Sequence, residues 1–142
     1  MGYEFQVTVD SQRPHDQAKW WAQTLGWQVE PSNEEMIRGL LAAGHANEED
    51  TMVYEGVLVW KVGAALHDPE HPERPRLLFQ LVPEGKTVKN RMHLDVRVGD
   101  EDRQAVSDAL VERGASVLHH AEQGPYRWIT MTDPEGNEFC LT

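Results

Sequence analysis

Side chains able to donate, accept or ligate recur at alternate positions of short apolar runs. They are Gln6 and Thr8, then Gln80, then His93, Asp95 and Arg97, and finally Glu138 and Cys140. Imidazole, thiol, carboxylate and amide are donors for a divalent ion or for an organic molecule held by hydrogen bonds. The intervening positions are apolar: Phe5, Val7 and Val9; Leu77, Phe79 and Leu81; Met92, Leu94, Val96 and Val98; Phe139 and Leu141. Successive side chains of a strand point to opposite faces, so each run has one apolar and one polar side. A polar side is also what a solvated antiparallel sheet presents. Such a face would favour Lys, Glu and Thr, whereas Gln, His and Cys suit a partly enclosed cup. If two sheets curve toward each other, Gln6, Gln80, His93 and the Glu138/Cys140 strand converge across it.

The elements that must position these groups follow from periodicity. Residues 3–10 alternate as a strand. A helix spans about Pro14 to Leu25, with Ala18, Trp21, Ala22 and Leu25 on one stripe, Pro14 in the first turn and Gly26 as the stop. A strand follows at 27–30. Residues 31–55 read as an insertion: a capping box from Ser32 to Glu35 opens a short helix through Met36, Ile37, Leu40 and Leu41. A tight turn at Gly56 precedes one long strand at 57–66. The proline-rich stretch 67–75 is a loop, 76–82 a strand and 83–91 a polar connector. Strand 92–98 opens a second half, in which Asp100 caps a helix from Glu101 to Arg113. The helix stripe is Val106, Ala109 and Leu110, and strands at 115–120, 126–132 and 137–142 follow, the last two joined at DPEG. The order β-α-β-β-β thus occurs twice. Displacing the sequence by 87 residues lays Gln6 over His93, and by 88 lays Gly26 over Gly114, the pattern of an internal duplication.

Composition narrows the function classes. The 142 residues suit one domain or two small modules. Thirteen basic against 24 acidic residues leave a net charge of −11, which repels nucleic-acid phosphates and anionic lipid, so neither partner is expected. The single cysteine excludes an internal disulfide and an all-thiolate zinc site. No apolar run reaches the roughly 18 residues of a membrane span. MGYEFQVTVD enters a strand pattern directly, with no signal-peptide pattern, so a cytoplasmic location is expected. Nucleophile-elbow, P-loop and dinucleotide motifs do not occur.

LGWQV after an amphipathic helix, KTVKNRMHLDVRV, a helix ending in RGA, and TDPEGNEFCL together resemble the glyoxalase/bleomycin-resistance (vicinal oxygen chelate) superfamily, in its glyoxalase-like domain branch. The resemblance covers nearly the whole chain outside 31–55. It implies a single α+β domain of two βαβββ modules, residues 1–83 and 91–142, forming a curved mixed sheet around a cavity. It also implies a small organic molecule as partner and a homodimer. In metal-using members a ligand lies on the first and last strand of each module. Carried over, those positions fall on Gln6, Gln80, His93 and Cys140, with Glu138 one pleat from Cys140. Two neutral amides are poor partners for a dication. A divalent metal is therefore less expected than direct hydrogen bonding of a ligand by Gln6, His93, Asp95 and Glu138.

Trp60 and Trp128 lie mid-strand where they stack on a flat ligand or fill the core, and Tyr126 shares the Trp128 face. Trp21 and Trp20 belong to the helix. His67 and His71 sit in a solvated loop. His119 and His120 point to opposite faces of a strand. Lys86, Lys89 and Arg91 are either a clamp for an anionic group or a soluble connector, and Arg97 pairs with Asp95. The insertion either lids the cup or extends a dimer contact. The leading function is a small-molecule-binding protein of the sequestering or resistance type. The alternatives are a divalent-metal lyase, isomerase or dioxygenase, and a dimeric interaction module without ligand.

Overall fold

The computed structural model describes residues 1–99 and 102–142. The chain divides into two compact units, Met1–Glu84 and Gly85–Thr142. The cap expected at Asp100 and the helix start at Glu101 lie outside the described residues.

The first unit begins with β1 (Val7–Ser11), α1 (Pro14–Leu25) and β2 (Gln28–Val29). After α2 (Glu34–Ala42), β3 (Thr51–Tyr54) and β4 (Val57–Trp60), it closes with β5 (Gly63–His67) and β6 (Leu77–Leu81). The main sheet runs β1-β6-β5-β2. β1 is parallel to β6, and the other pairs are antiparallel. α1 covers β5 and β6, burying Ala18, Trp20, Trp21 and Ala22 over Leu66, Leu77 and Phe79. Each large side chain so buried contributes about 1.5–3 kcal/mol. The left-handed Gly26 (φ 69°) ends α1 as anticipated.

The second unit holds β7 (Leu94–Val96), α3 (Arg103–Glu112), β8 (Ser116–Gln123), β9 (Tyr126–Thr132) and β10 (Glu138–Leu141). Its sheet runs β7-β10-β9-β8, the same first-last-third-second order as in the first unit. β7 is again parallel to β10, while β9 is antiparallel to both neighbours. α3 lies on β8 and β9. Leu110, Ile129, Met131, Phe139 and Leu141 form the core on that side.

Four sequence expectations change. Phe5 and Met92 are 75% and 85% exposed rather than inward-facing. The ladders stop short of them: continued by two rungs, they would put Phe5 opposite Pro75, which lacks a donor, and Met92 opposite Asn137 of the β9–β10 turn. Leu81 is also largely exposed. The α3 stripe is rotated, since Ser107 and Leu110 are buried while Ala109 is exposed. The cap of α2 is Asn33, whose Oδ1 accepts from Met36 N at 3.0 Å, not Ser32.

The expected long strand at 57–66 is two strands. Val57–Trp60 folds back on Thr51–Tyr54 through Glu55 and Gly56, at φ 48° and 81°. Two successive left-handed residues are what a tight hairpin turn requires. The inserted segment thus contains a hairpin as well as α2, and it reaches Trp60. Ser32 Oγ donates to Leu58 O at 2.7 Å and Glu34 accepts from Leu58 N at 2.8 Å, tying α2 to β4. Tyr54 donates to Asp16 at 2.8 Å, and His15 Nε2 lies 2.8 Å from Trp60 O. Lys19 pairs with Glu55. These three contacts tie the hairpin to α1.

Gly63 opens β5 where backbone crowds it. A Cβ there would lie 2.6 Å from the Phe79 carbonyl oxygen. Gly63→Ala is expected to cost about 1–3 kcal/mol, read as a lower urea midpoint at unchanged slope. Burial, the hydrogen bond to Asp16 and the charges of Asp16 and Glu55 push the Tyr54 phenol well above its usual range. Below the ordinary tyrosine value of about 10 this adds no pH dependence. Above it the unfolded chain loses the proton that the fold retains, so stability falls as pH rises. The decline in urea-unfolding free energy is expected to be shallower in Tyr54→Phe.

Candidate functional site

The face of the second sheet that turns away from α3 carries the candidate site. The parallel register aligns Cys140 with Asp95, and the antiparallel register aligns it with Thr130. Directly opposed residues share a face, so Asp95, Cys140 and Thr130 form one row across three strands. One step before Phe139 and Leu94, Glu138 lies level with His93. His93 Nε2 is 3.3 Å from Asp95 Oδ1, so the imidazole lies over the next pleat of its own strand. The Cys140 thiol meets Thr130 Oγ1 at 3.6 Å. One donor atom each from His93, Asp95 and Cys140 lies within 4.8 Å of the other two. Cys140 is buried, whereas the His93 and Asp95 side chains are 41% and 57% exposed. The row therefore has a sheltered sulfur at its centre, with the accessible polar atoms of the β7 edge to one side of it.

Glu138 is already engaged. Lys86 Nζ donates to Oε1 at 3.0 Å and Asn90 N–H to Oε2 at 3.1 Å. Lys86 also donates to Val88 O at 2.7 Å, and Asn90 Nδ2 to Asn137 Oδ1 at 2.9 Å. Burial pulls the Glu138 carboxyl upward, but the Asn90 N–H, the Lys86 hydrogen bond and the Lys86 charge outweigh it and hold it below the usual glutamate range. Lys86 is thus the partner of Glu138, which answers part of the expectation that the basic connector clamps an anion. Asp133 accepts from the N–H of Glu135 and of Asn137, both at 2.9 Å, and so shapes the turn that sets the register of β10.

The first sheet arranges its counterparts differently. One step before Val7 and Leu77, Gln6 lies level with Arg76. Arg76 Nε donates to Gln6 Oε1 at 3.0 Å and Nη1 to Glu30 at 2.8 Å. Gln80 lies opposite Asp10 instead. Gln6 and Gln80 are four rungs apart, about 13 Å by strand rise. The structure does not bring these two amides together, and a guanidinium lies beside one of them. The resemblance-implied set of Gln6 with Gln80 therefore does not fit a single ion.

Trp60 lies in the β3–β4 sheet, outside the main sheet, because the 57–66 segment breaks after it. Trp128 shares the Thr130 face by alternation and is half-buried, whereas Tyr126, two residues earlier, is 72% exposed. Asp95 meets His93 where a pair with Arg97 was anticipated. His120 reaches Gln104 of α3 at 3.3 Å, so His119, opposite Thr130, points to the candidate face. His67 and His71 go to separate carboxylates, Glu30 and Glu73. Sequence reasoning passed over two residues. Thr130 has the parity of Trp128 and could have been found from it. Arg76 becomes the neighbour of Gln6 only through the parallel register.

The Lys86–Glu138 pair anchors the connector that leads into His93. A Lys86→Met, Glu138→Gln double-mutant cycle read by urea unfolding is expected to give a coupling of about 0.5–3 kcal/mol. Gln6→Ala, on an exposed side chain, should stay within about 0.5 kcal/mol of the parent.

The sequence matches the family model described as the glyoxalase-like domain over residues 6–142. No curated protein matches it significantly. Fosfomycin resistance protein FosX from Mesorhizobium loti is similar in structure, with TM-score 0.64 and 8% identity, over 99% of this chain and 90% of that one. A glyoxalase/bleomycin resistance protein/dioxygenase family enzyme from Burkholderia phytofirmans PsJN gives 0.61 and 15%, over 96% and 94% of the two chains. Hypothetical protein SA1046 from S. aureus gives 0.61 and 10%, over 99% and 96%. At such identities the likeness is one of fold. Paired βαβββ modules with matching strand order and a family match across nearly every residue together make the chain a member of the glyoxalase-like domain family of the vicinal oxygen chelate superfamily.

Proposed function

We propose that the protein binds a small organic molecule on the polar face of its second sheet. The observation that carries this reading is the row Asp95–Cys140–Thr130 with His93 above it. Solvated sheet faces are built from long, freely hydrated side chains, whereas this row includes a thiol that is only 9% exposed. A sheltered, weakly polar floor with an imidazole and a carboxylate at its edge is the make-up of a binding pocket. The half-buried indole of Trp128 lies on the same face and supplies a flat apolar surface. The ligand class that fits has a planar apolar part to lie on Trp128 and a hydrogen-bonding end to meet His93, Asp95 and Thr130. Sequestration needs nothing further.

FosX and the Burkholderia enzyme, by their names, do a resistance task and belong to a family with dioxygenases. The sequestering or resistance role anticipated from the resemblance is in keeping with those names. Glu138 belongs to the support of this site rather than to its contact surface, because Lys86 and Asn90 hold both of its oxygens.

A thermal-shift screen of planar heteroaromatic compounds against the parent and against His93→Ala tests the proposal. A compound at 100 times its Kd is expected to stabilise the parent by about 2.7 kcal/mol and the variant far less. The same compound should quench or shift the fluorescence of the parent but not of Trp128→Phe. Equal stabilisation of parent and His93→Ala by every active compound would overturn the assignment of this face.

A further inference from the structure

We propose that Arg97 forms an anion subsite on the polar face of the second sheet, and that the molecule bound there is a flat aromatic monocarboxylate. This rests on the preceding reading of that face as a small-molecule site and adds the charge that its ligand carries.

The strand register puts a cation beside an aromatic surface. Thr142 N donates to Val96 O and Val98 N to Thr142 O, both at 2.9 Å. These two bonds bracket Arg97 and set it opposite Thr142 in the parallel ladder. On the other side of β10, the step after Leu141 and Ile129 brings Thr142 level with Trp128. Trp128 in turn pairs with Ala121 of β8. Directly opposed residues share a face, so Arg97, Thr142, Trp128 and Ala121 form a second row, one pleat from Asp95, Cys140 and Thr130. The cross-strand neighbours of the indole are thus both small. Arg97 and Trp128 are two strand spacings apart, about 9.5 Å between Cα atoms. A ring lying on the indole carries its substituent over Thr142, toward the long Arg97 side chain.

That guanidinium is uncommitted. Arg97 is exposed, and among the described residues none makes a hydrogen bond or an ion pair with it. The other charged groups nearby have partners. Asp95, its acidic neighbour on the same face, is turned to His93, and Lys86 is held by Glu138. Arg76, the guanidinium level with Gln6 in the first half, already donates to Gln6 and Glu30. Arg97 therefore keeps a planar fork of N–H donors, whose geometry matches the two oxygens of a carboxylate.

Charge and shape select the ligand class. One guanidinium balances one negative charge. Asp95 lies one pleat away and the chain carries a net charge of −11, so the second charge of a phosphate or phosphonate is uncompensated and repelled. A carboxylate conjugated to an aromatic ring stays in the plane of that ring, so the ring rests on Trp128 while the oxygens point along the sheet to Arg97. His93, Asp95 and Thr130 remain free to meet a hydrogen-bonding substituent elsewhere on the ring.

Calorimetric titration of the full-length protein with 6-hydroxy-2-naphthoate, its carboxamide and its phosphonate analogue tests this. The parent is expected to bind the carboxylate about 10–100-fold more tightly than the carboxamide, the worth of a charge-assisted hydrogen-bonded pair. That preference should shrink as salt is raised, because the subsite is exposed. The phosphonate should bind more weakly than the carboxylate. Arg97→Gln should remove the preference by lowering carboxylate affinity alone, and Arg97→Lys should keep part of it. Arg127→Gln removes the same charge from the opposite face of β9, where Arg127 lies near Glu122, and should leave the preference intact. Far-ultraviolet circular dichroism and an unchanged urea midpoint establish that each variant is folded. Equal binding of carboxylate and carboxamide, a preference that survives Arg97→Gln, or tighter binding of the phosphonate would each overturn the proposal. Failure of the subsite and failure of the wider reading separate through His93→Ala. If carboxylate and carboxamide bind alike and both weaken in His93→Ala, only the subsite falls. If the carboxylate weakens in Arg97→Gln but not in His93→Ala, the subsite stands and the wider assignment falls. Absence of binding by all three compounds overturns the subsite and leaves the wider reading to the compound screen.

Discussion

The parallel pairing of β7 with β10 is the constraint on which the rest of the second half depends. It places Asp95 opposite Cys140 and brings Glu138 level with His93. A slip of β7 by one residue would turn His93 and Asp95 to the buried face and carry Leu94 and Val96 off it, and a slip of β10 would do the same to Glu138 and Cys140 against Phe139 and Leu141. Phe139 and Leu141 are almost wholly buried, so hydrophobic burial on one face fixes which polar groups appear on the other. The chemistry of the site is in this sense a by-product of core packing. The buried Asp133 turn reinforces the register from the β9 side, and the Lys86–Glu138 contact anchors the incoming connector.

The two halves share a strand order and differ in what they place on it. In both, the first strand runs parallel to the last, and a polar residue just before the first strand lies level with a charged residue at the start of the last. In one half the pair is Gln6 with Arg76, bonded directly. In the other it is His93 with Glu138, where the glutamate turns to Lys86 and leaves the imidazole to Asp95. A duplicated backbone therefore carries a cation at one position and a carboxylate at its counterpart. The electrostatic character of the two polar faces diverges accordingly, although the ladder beneath them is the same.

The inserted segment is joined to its own half by polar contacts as well as by packing. Ile37 is fully buried, and α2 is tied to β4 through Ser32 and Glu34. The Tyr54–Asp16 and Lys19–Glu55 contacts join the hairpin to α1. These contacts involve half-exposed groups, whose net worth in water is small. They orient the hairpin more than they stabilise it.

Much of this protein is legible in its sequence. The α1 limits, the apolar stripe under it, the doubled element order and the polar character of alternate strand positions follow from periods of 3.6 and 2, because burial of one face is a local property of the pattern. The sheltered polar row could be anticipated as a face, with His93, Asp95, Glu138 and Cys140 on it. Tertiary structure alone decided which of them meet. Register is a relation between distant segments, so the sequence could not tell that Gln6 would lie beside Arg76, that Gln80 would be four rungs away, or that Glu138 would be taken by Lys86. Nor could alternation reveal the break after Trp60, since two strands of a folded-back segment carry the same period as one long strand. Local patterning determines what each face contains, and only the pairing of strands determines which atoms come within reach of one another.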